Sequence, residues 1–380
     1  MIRRIAAGAV TALVLIGVSP APAAADRVRD AQWHLSDLKI AEAHRITRGE
    51  GVVVALIDTG VDAKHRDLAG AVLPGHNTRR GKYAGDPTGR DDSDGHGTEM
   101  AGLIAGRGHG SGAGVLGIAP AAKLLPISTQ IGSWGNVDLK GAVDFAIAHR
   151  AGVINMSFGG PDDEAKHEAI RTALAHDIVV VAASGNRGQG GGDYPGMYPE
   201  VLTVGAYSAN RKIAEFSVTG PQVDLVAPGD RLVTTGISES GYRRVDGTSE
   251  STAVVSGAAA LIRAKYPRMS AAEVVHRLTA TADDAGAPGR DDTYGYGRLN
   301  VVQALTADVA PLPEAPPVSA APSSAAAPAE PEEPVRASKV DPRDLPRATS
   351  PLTVSLIAAG ILLAGAAVLA VIFWRRRQRS

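Results

Sequence analysis

The chain contains no cysteine among its 380 residues, and this absence narrows its chemistry. Without cysteine there is no disulfide bond, no thiol nucleophile and no thiolate ligand for a metal. The chain also lacks an excess of charge of either sign, because its formal net charge at pH 7 is −1. No basic cluster occurs outside the two ends, so we expect no nucleic-acid binding.

Long apolar runs are missing from the middle of the chain and are confined to its ends. Residues 1–25 begin with two arginines, continue through an apolar run at 5–18 and finish in three alanines. This pattern is typical of a secretory signal peptide, here cleaved before Asp26. An uncleaved anchor helix is the alternative, but the apolar run is short for a membrane span.

Residues 351–374 form an uncharged run rich in Leu, Ala, Val and Ile, followed by an arginine-rich tail at 375–380. At about 1.5 Å per residue such a helix is long enough to cross a hydrocarbon core. Positive residues stay on the cytoplasmic side, so the sequence predicts a single-pass membrane helix with a cytoplasmic C-terminus and everything before it outside. A buried helix of a soluble domain is the alternative, but the run has no polar face.

Between these ends the composition divides the chain into three parts. Residues 26–50 are a short N-terminal arm, 51–307 are one large domain, and 308–350 are a stalk crowded with Pro, Ala, Ser and Glu. Such a stalk cannot bury a core and is expected to be an extended spacer. A segment that binds a partner is the alternative for the stalk.

The large domain alternates between strand and helix patterns. Continuous apolar runs predict strands buried on both faces at 52–57, 153–156, 178–183 and 201–204. Amphipathic spacing predicts helices at 138–149 and 164–176. Strands separated by helices indicate an α/β fold with a mostly parallel sheet, which binds ligands beyond the carboxyl ends of its strands. Asp58, Ser157 and Asn186 each follow such a strand.

Three short glycine-containing motifs supply an acid, an imidazole and a hydroxyl, in that order. They are Asp58-Thr-Gly, Gly-His96-Gly and Gly-Thr-Ser249. A serine hydroxyl is a poor nucleophile unless a base takes its proton and a carboxylate orients that base. We therefore predict Asp58 as the orienting carboxylate, His96 as the general base and Ser249 as the nucleophile. The grouping disfavours two alternatives. One is a capping role for Asp58, and the other is that Thr248 or Ser251 supplies the reactive hydroxyl.

These motifs make the chain similar to the subtilisin-type serine peptidases, over about 32–305. The lead-in Gln-Trp-His-Leu at 32–35, the stalk, the anchor and the arginine tail resemble more narrowly the mycosins, the membrane-anchored subtilases of type VII secretion systems. The resemblance implies a three-layer, subtilisin-like α/β fold for the catalytic domain at 51–307. It also implies a serine endopeptidase that uses no cofactor.

The resemblance implies further site residues around the triad. Asn186, in Ala-Ser-Gly-Asn, matches the asparagine of the oxyanion hole. Two segments match the edges that pair with an extended peptide, and their residues are Ser157, Phe158, Gly159, Ala183, Ser184 and Gly185. Asp193 falls at the floor of the pocket for the residue before the cut, where a carboxylate would favour Lys or Arg.

The chain departs from the subtilase pattern at three positions near the triad. Glu99 stands where relatives commonly have a second histidine outside the triad, and Ala253 stands where many have a proline. Glu250 follows the nucleophile directly. A carboxylate there is expected to favour the imidazolium form of His96 and to raise its pKa. A glutamate that points into solvent is the alternative.

Expectations about metals and partners complete the prediction. Asp67 aligns with a calcium ligand of relatives, but 107–115 supplies no further set, so we predict no metal site. The predicted function is a membrane-anchored endopeptidase that acts on exported proteins, with a type VII membrane complex as a candidate partner. A structural component of that complex, using the protease fold as a docking module, is the alternative. A lipase on an α/β-hydrolase fold is disfavoured, because that fold places serine before histidine in the chain.

Overall fold

The computed structural model describes residues 26–79, 85–130, 137–187 and 193–312. The predicted signal peptide, membrane helix and cytoplasmic tail, and most of the stalk, lie outside these ranges. Within them, no helix combines the length and the apolar character needed to cross a membrane.

A seven-stranded parallel sheet forms the centre of the described chain. Numbered in chain order, the strands of the described ranges, seven of which form this sheet, are β1 (Val53–Asp58), β2 (His76–Asn77), β3 (Arg107–His109), β4 (Ala113–Leu116), β5 (Lys123–Ser128), β6 (Val153–Met156), β7 (Val179–Ala183), β8 (Leu202–Tyr207), β9 (Leu225–Pro228), β10 (Leu232–Thr235) and β11 (Tyr242–Val245). The sheet order is β2-β5-β1-β6-β7-β8-β9, with every neighbouring pair parallel. The pairs β3–β4 and β10–β11 are antiparallel hairpins beside it.

Helices cover both faces of this sheet. They are α1 (Asp26–Asp30), α2 (Trp33–Asp37), α3 (Ile40–Ala43), α4 (His96–Ala105), α5 (Leu139–Ala148), α6 (Glu164–Ala175), α7 (Thr248–Lys265), α8 (Ala271–Ala280) and α9 (Val301–Thr306). Successive residues of β1 point to opposite faces, so Val54 and Leu56 pack with α4, α7 and α8, while Ala55 and Ile57 pack with α5 and α6. The predicted α/β fold with a mostly parallel sheet is confirmed, and it has three layers.

Helix α7 runs through the interior, and its composition explains how it fits there. Every residue from Glu250 to Arg263 is buried, and most of them are Ala, Val, Ser, Thr or Gly. Small side chains let a helix approach the sheet and α4 closely on several sides at once. The cost is that almost any enlargement in this stretch would overpack the core.

Helix α4 begins at His96 itself. The reason is the preceding Asp92, whose Oδ1 accepts from the amide of Gly95 at 2.9 Å and whose Oδ2 accepts from the amide of Thr98 at 2.9 Å. These bonds satisfy donors that a helix N-terminus leaves free. As a result His96 is the first residue of a rigid helix rather than part of a loop.

The predicted N-terminal arm consists of three short helices that are bonded to the main body. The side chain of Gln32 exchanges two hydrogen bonds with the backbone of Leu116, at 3.0 and 2.9 Å. Trp33 donates its indole N–H to the carbonyl of Asp230 at 3.1 Å, and His34 is fully buried. The arm is therefore an integral layer of the domain and contributes to its core.

Candidate active site

The predicted acid and base meet at the carboxyl end of β1. Asp58 is the last residue of that strand and is fully buried, while His96 opens α4 with 24 % of its side chain exposed. The Nδ1 atom of His96 lies 2.8 Å from Oδ1 of Asp58, which also accepts from the amide of Thr59 at 2.7 Å. The carboxylate thus orients the imidazole and leaves its other nitrogen, Nε2, on the open side.

The charge on this histidine is set by opposing effects. Burial lowers the pKa of His96, but the Asp58 carboxylate opposes that by charge and by its hydrogen bond, and Glu250 and Glu99 add to it. The net effect is a pKa raised above the ordinary value of an imidazole. The prediction that Glu250 would act in this direction agrees with the geometry.

Ser249 lies on the first turn of α7, at the end of β6. Its Oγ donates to the carbonyl of Ser157 at 3.2 Å, and the Oγ of Ser157 donates to the carbonyl of Ser249 at 3.0 Å. These reciprocal bonds fix the start of α7 against the sheet edge. Ser249 and His96 line the same cleft, but the serine hydroxyl points to Ser157 rather than to the imidazole.

Asn186 follows β7 and is tied to the same helix start. Its Oδ1 accepts from the backbone amide of Thr248 at 3.0 Å and from the Thr248 hydroxyl at 3.1 Å. These bonds orient the side-chain amide, so that its Nδ2 group is left to the cleft that Asn186 lines. A fixed N–H donor beside Ser249 suits an oxyanion hole.

The cleft has a volume of about 790 Å³ and gathers nearly all the predicted substrate-binding residues. Those that line it are Ser157, Phe158, Gly159, Ala183, Gly185 and Asp193. Ser184 is the exception, because its Oγ is buried and donates to the carbonyl of Val218 at 3.0 Å. Alternate residues of an extended segment point to opposite sides, so Ser184 turns inward between two neighbours that face the cleft.

Asp193 lies against the 157–160 segment. The amide and carbonyl of Tyr194 pair with those of Gly160, at 3.0 and 2.9 Å. A Cβ atom on Gly159 would stand 2.7 Å from Oδ2 of Asp193, so only glycine leaves room for this carboxylate. Burial raises the pKa of Asp193, and within the described ranges no cation lies within ion-pair distance of it.

The sequence profile of the subtilase family matches residues 49–297. The chain belongs to the subtilase family. Subtilisin DY from Bacillus licheniformis is 38 % identical to it over 264 residues, which are 68 % of this chain and 92 % of that relative. The chain is thus a subtilisin-like serine protease, as the sequence predicted.

Solved structures add a narrower likeness for this subtilase. MycP1 from Mycobacterium smegmatis matches with a TM-score of 0.66 and 30 % identity, covering 85 % of this chain and 92 % of that chain. Another structure of MycP1, described as a serine protease and an essential component of the type VII (ESX-1) secretion system, gives 0.63 and 31 %, over 72 % and 88 %. The predicted resemblance to mycosins is confirmed.

Two buried glutamates, Glu99 and Glu250, lie on the wall of the cleft. Glu99 is 5 % exposed, and its Oε1 bonds Nη1 of Arg243 at 2.6 Å. Glu250 is 3 % exposed, so the alternative of a solvent-facing glutamate is wrong. Burial raises the pKa of both carboxyl groups, and that of Glu250 reaches about 7.

Both carboxylate oxygens of Asp67 contact other residues of the same chain. Its Oδ1 lies 2.5 Å from Nδ1 of His109, and its Oδ2 accepts from the amide of Val115 at 2.8 Å. Throughout the part of the chain that the structure describes, no three His, Asp or Glu residues are grouped so as to hold a metal ion. In this subtilase an imidazole stands beside the carboxylate that the sequence analysis matched to a calcium ligand of relatives.

Some residues that shape the site were not predicted. Asn155, inside β6, donates to Oγ of Ser157 at 3.0 Å and accepts from Oγ of Ser256 at 3.0 Å. A polar residue within an apolar strand was the available signal, because buried amides need partners. Arg243 gave no such signal, because it lies on the exposed part of β11 beside another arginine.

Proposed function

We propose that this subtilase is a membrane-anchored serine endopeptidase that cleaves exported proteins in connection with a type VII secretion system. The observation that carries the proposal is the 2.8 Å contact between Asp58 and His96 at a cleft that Ser249 also lines. An oriented base beside a hydroxyl in an extended cleft fits hydrolysis of peptide bonds.

Substrate binding is the step that would release the nucleophile. The hydroxyl of Ser249 donates to the carbonyl of Ser157 at 3.2 Å. A peptide that pairs with 157–159 as an added strand competes for this carbonyl, because strand addition uses backbone hydrogen bonds. We infer that this competition frees Oγ to turn toward Nε2 of His96.

The reaction then follows from the three side chains. His96 takes the proton as Oγ of Ser249 attacks the scissile carbonyl, and the Asp58 carboxylate stabilises the imidazolium. His96 gives the proton to the leaving amine, and an acyl group remains on Ser249. Water, activated by the same imidazole, hydrolyses the acyl-enzyme. The Asn186 amide and the backbone N–H of Ser249 stabilise the oxyanion in both halves.

Asp193 is proposed to select the residue before the cut. Its carboxylate is partly buried at the cleft wall, within contact of the space above Gly159. A substrate lysine or arginine would supply the cation that this carboxylate lacks among the described residues, and a charge-assisted bond would form. Small or apolar residues would leave the carboxylate unpaired.

A peptide library that varies the residue before the cut tests this preference. We expect Lys and Arg to be favoured, and Asp193→Asn to lower kcat/KM for them by roughly 10- to 100-fold, the worth of a hydrogen bond to a charged group. Hydrolysis of substrates with alanine at that position serves as the matched control and should change little. Equal rates for basic and apolar residues in the wild type would overturn the assignment.

The location of the enzyme is proposed from the ends of the chain. The predicted signal peptide at 1–25, the apolar run at 351–374 and the arginine-rich segment at 375–380 support a catalytic domain outside the cell, held by one helix. The likeness to MycP1 supports the link to type VII secretion. Removing 351–380 should move the protein from the membrane fraction to the medium.

The secreted proteins of the native host test the function. A strain that carries the wild type is compared with one that carries Ser249→Ala, and new chain ends are sought by mass spectrometry. We expect at least one exported protein to be cut only in the wild type, at a site that the purified protease also cuts. Identical chain ends in both strains would contradict the proteolytic role.

A structural role is the second candidate, because MycP1 is described as an essential component of its secretion system. In that case the protease fold would dock to the membrane complex. Deletion of the whole protein would then stop secretion, whereas Ser249→Ala would leave secretion intact. Loss of secretion in both strains would favour the catalytic role.

A further inference from the structure

Glu250 is a buried acid in the cleft that the proposed mechanism leaves without a task. It follows Ser249 on the first turn of α7, and its Oε2 has no hydrogen-bond partner among the described residues. Arg243, which lines the same cleft, is bonded to Glu99 instead. Burying an ionised carboxylate with one oxygen left unbonded is costly, so this environment favours the protonated acid.

The position of Glu250 relative to the oxyanion hole can be read from Gly247. A Cβ atom on Gly247 would stand 2.5 Å from Oε2 of Glu250 and 3.4 Å from Nδ2 of Asn186. The two side-chain atoms are therefore no more than about 6 Å apart, at the start of α7. Oε2 is a near neighbour of the donor that is proposed to hold the oxyanion.

The charged groups around Glu250 are mostly acidic. His96 and Glu99 face it from α4, and Asp246 faces it from the turn before α7. Asp94 and Arg244 line the same cleft. Burial is the largest cause of the raised pKa of Glu250, and Glu99 and Asp246 add to it. The charge of His96 and a hydrogen bond from the backbone amide of Glu250 itself oppose them. The result, about 7, keeps a large share of the group protonated at neutral pH.

We propose that the protonated carboxyl group of Glu250 is a third donor of the oxyanion hole, beside the Asn186 amide and the backbone N–H of Ser249. The inference rests on the proposed peptidase function. The proton stays on Oε2 throughout, so no new bond is made or broken. The ionised form has the opposite effect, because a carboxylate next to the developing oxyanion repels it.

Glu250 and His96 then compete for one proton. The productive arrangement is a neutral imidazole, ready to act as base, with the proton on Glu250. The reverse arrangement, an imidazolium beside a carboxylate, lacks both the base and the extra donor. Because the two groups interact, their titrations belong to the pair. Glutamine at 250 is always neutral and always a donor, so it would remove the unproductive arrangement.

The test measures kcat and KM for a fluorogenic peptide between pH 5 and pH 9, with the full-length chain purified in detergent. We expect Glu250→Gln to raise kcat at pH 8 by about tenfold, the equivalent of one pKa unit, and to shift the acid limb of the profile downward. Glu250→Met, which has no donor, should lower the highest kcat about 100-fold with little change in KM.

Glu99→Gln is the matched control, because it removes a neighbouring negative charge without touching the oxyanion hole. It should shift the acid limb, but it should lower the highest kcat far less than Glu250→Met does. A Glu250→Met enzyme with the highest kcat of the wild type would overturn the inference. If that variant does not fold, the glutamine variant decides alone, since an unchanged kcat at pH 8 would equally overturn it.

Labelling with a serine-directed fluorophosphonate separates this inference from the function on which it rests. Wild-type protein that hydrolyses no peptide in a Ser249-dependent way would refute the peptidase proposal itself. Protein that reacts at Ser249 and hydrolyses peptide, but responds to Glu250 only as it does to Glu99, would refute the inference alone.

Discussion

Two aspartate–histidine pairs in this molecule have almost the same internal geometry. In each, a fully buried carboxylate contacts the Nδ1 atom of a partly exposed imidazole, at 2.8 Å for Asp58–His96 and 2.5 Å for Asp67–His109. The imidazoles are 24 % and 26 % exposed. An acid and an imidazole at bonding distance therefore do not by themselves make a catalytic pair.

The difference lies in what surrounds each pair. The second oxygen of Asp67 accepts from the amide of Val115, so this carboxylate is satisfied on both sides and fastens the β3–β4 hairpin. The second oxygen of Asp58 is buried and has no hydrogen-bond partner among the residues that the structure describes, and His96 opens onto the cleft with Ser249. Saturated bonding stabilises a loop, whereas an unsatisfied buried group in a cleft is typical of a site that trades stability for function.

The largest expected effect is a difference in kcat between substitutions of the two histidines. His96→Ala should lower kcat about a millionfold, as removal of the triad histidine does in subtilisin. His109→Ala should keep kcat within a few-fold of the wild type, because His109 does not line the cleft. Hydrolysis of a fluorogenic peptide, normalised to folded protein by circular dichroism, measures both.

A comparable loss of kcat in the two variants would contradict the claim that only the Asp58–His96 pair is catalytic. It would mean that the β3–β4 hairpin acts on the cleft through the body of the protein. The folded fraction guards against a simpler cause, since an unfolded His109 variant would also lose activity.

The edge of the sheet where the site forms was predictable, because parallel strands end on the same side. Asp58, Ser157 and Asn186 each follow or end an apolar run, and the structure brings all three to one cleft region. Strand β5 was not predicted, because Pro126 lies inside it. The amide of Leu124 donates to the carbonyl of Ala71 on one side of β5, and position 126 faces the same side. Strand β2 pairs with β5 on that side only from Ile127 onward, so the N–H that Pro126 lacks is not needed for this pairing.

The contacts that distinguish the two pairs could not be predicted. His109 meets Asp67 across 42 positions, and neither residue lies in a motif whose spacing suggests the contact. The orientation of Glu250 was left open, because the sequence does not say which way a side chain on the first turn of a helix points. Its burial follows from the packing of α7 against α4, which is set by tertiary structure.

His34 extends the comparison to a histidine that has no carboxylate on its ring. It is fully buried, and neither ring nitrogen has a hydrogen-bond partner within the described ranges; burial lowers its pKa from 6.5 to about 4. The neutral ring stabilises the fold fully above pH 6.5, and this contribution is lost as pH falls toward 4. We expect a loss on the order of 3 kcal/mol in the free energy of unfolding across this range.

Urea unfolding of Ser249→Ala and of His34→Phe in the same background measures the effect, because the serine variant prevents self-digestion. The phenylalanine variant cannot titrate, so its stability should fall less between pH 7 and pH 4. Parallel curves for the two proteins would show that His34 does not carry the acid sensitivity.

The smallest expected effect is a difference in the free energy of unfolding between substitutions of the two carboxylates. Both oxygens of Asp67 accept hydrogen bonds, so Asp67→Asn turns one acceptor into a donor and leaves a buried N–H opposite another. This should lower the free energy of unfolding by about 1–3 kcal/mol. At Asp58 one oxygen has no partner in the described part of the chain, so Asp58→Asn removes a buried charge and loses no bond seen there to that atom. In the Ser249→Ala background, urea unfolding at pH 7 should therefore show Asp58→Asn as neutral or stabilising. Equal destabilisation by the two substitutions would mean that the unsatisfied oxygen of Asp58 is not a cost to the fold, and that the two pairs differ only in what lines the space beside them.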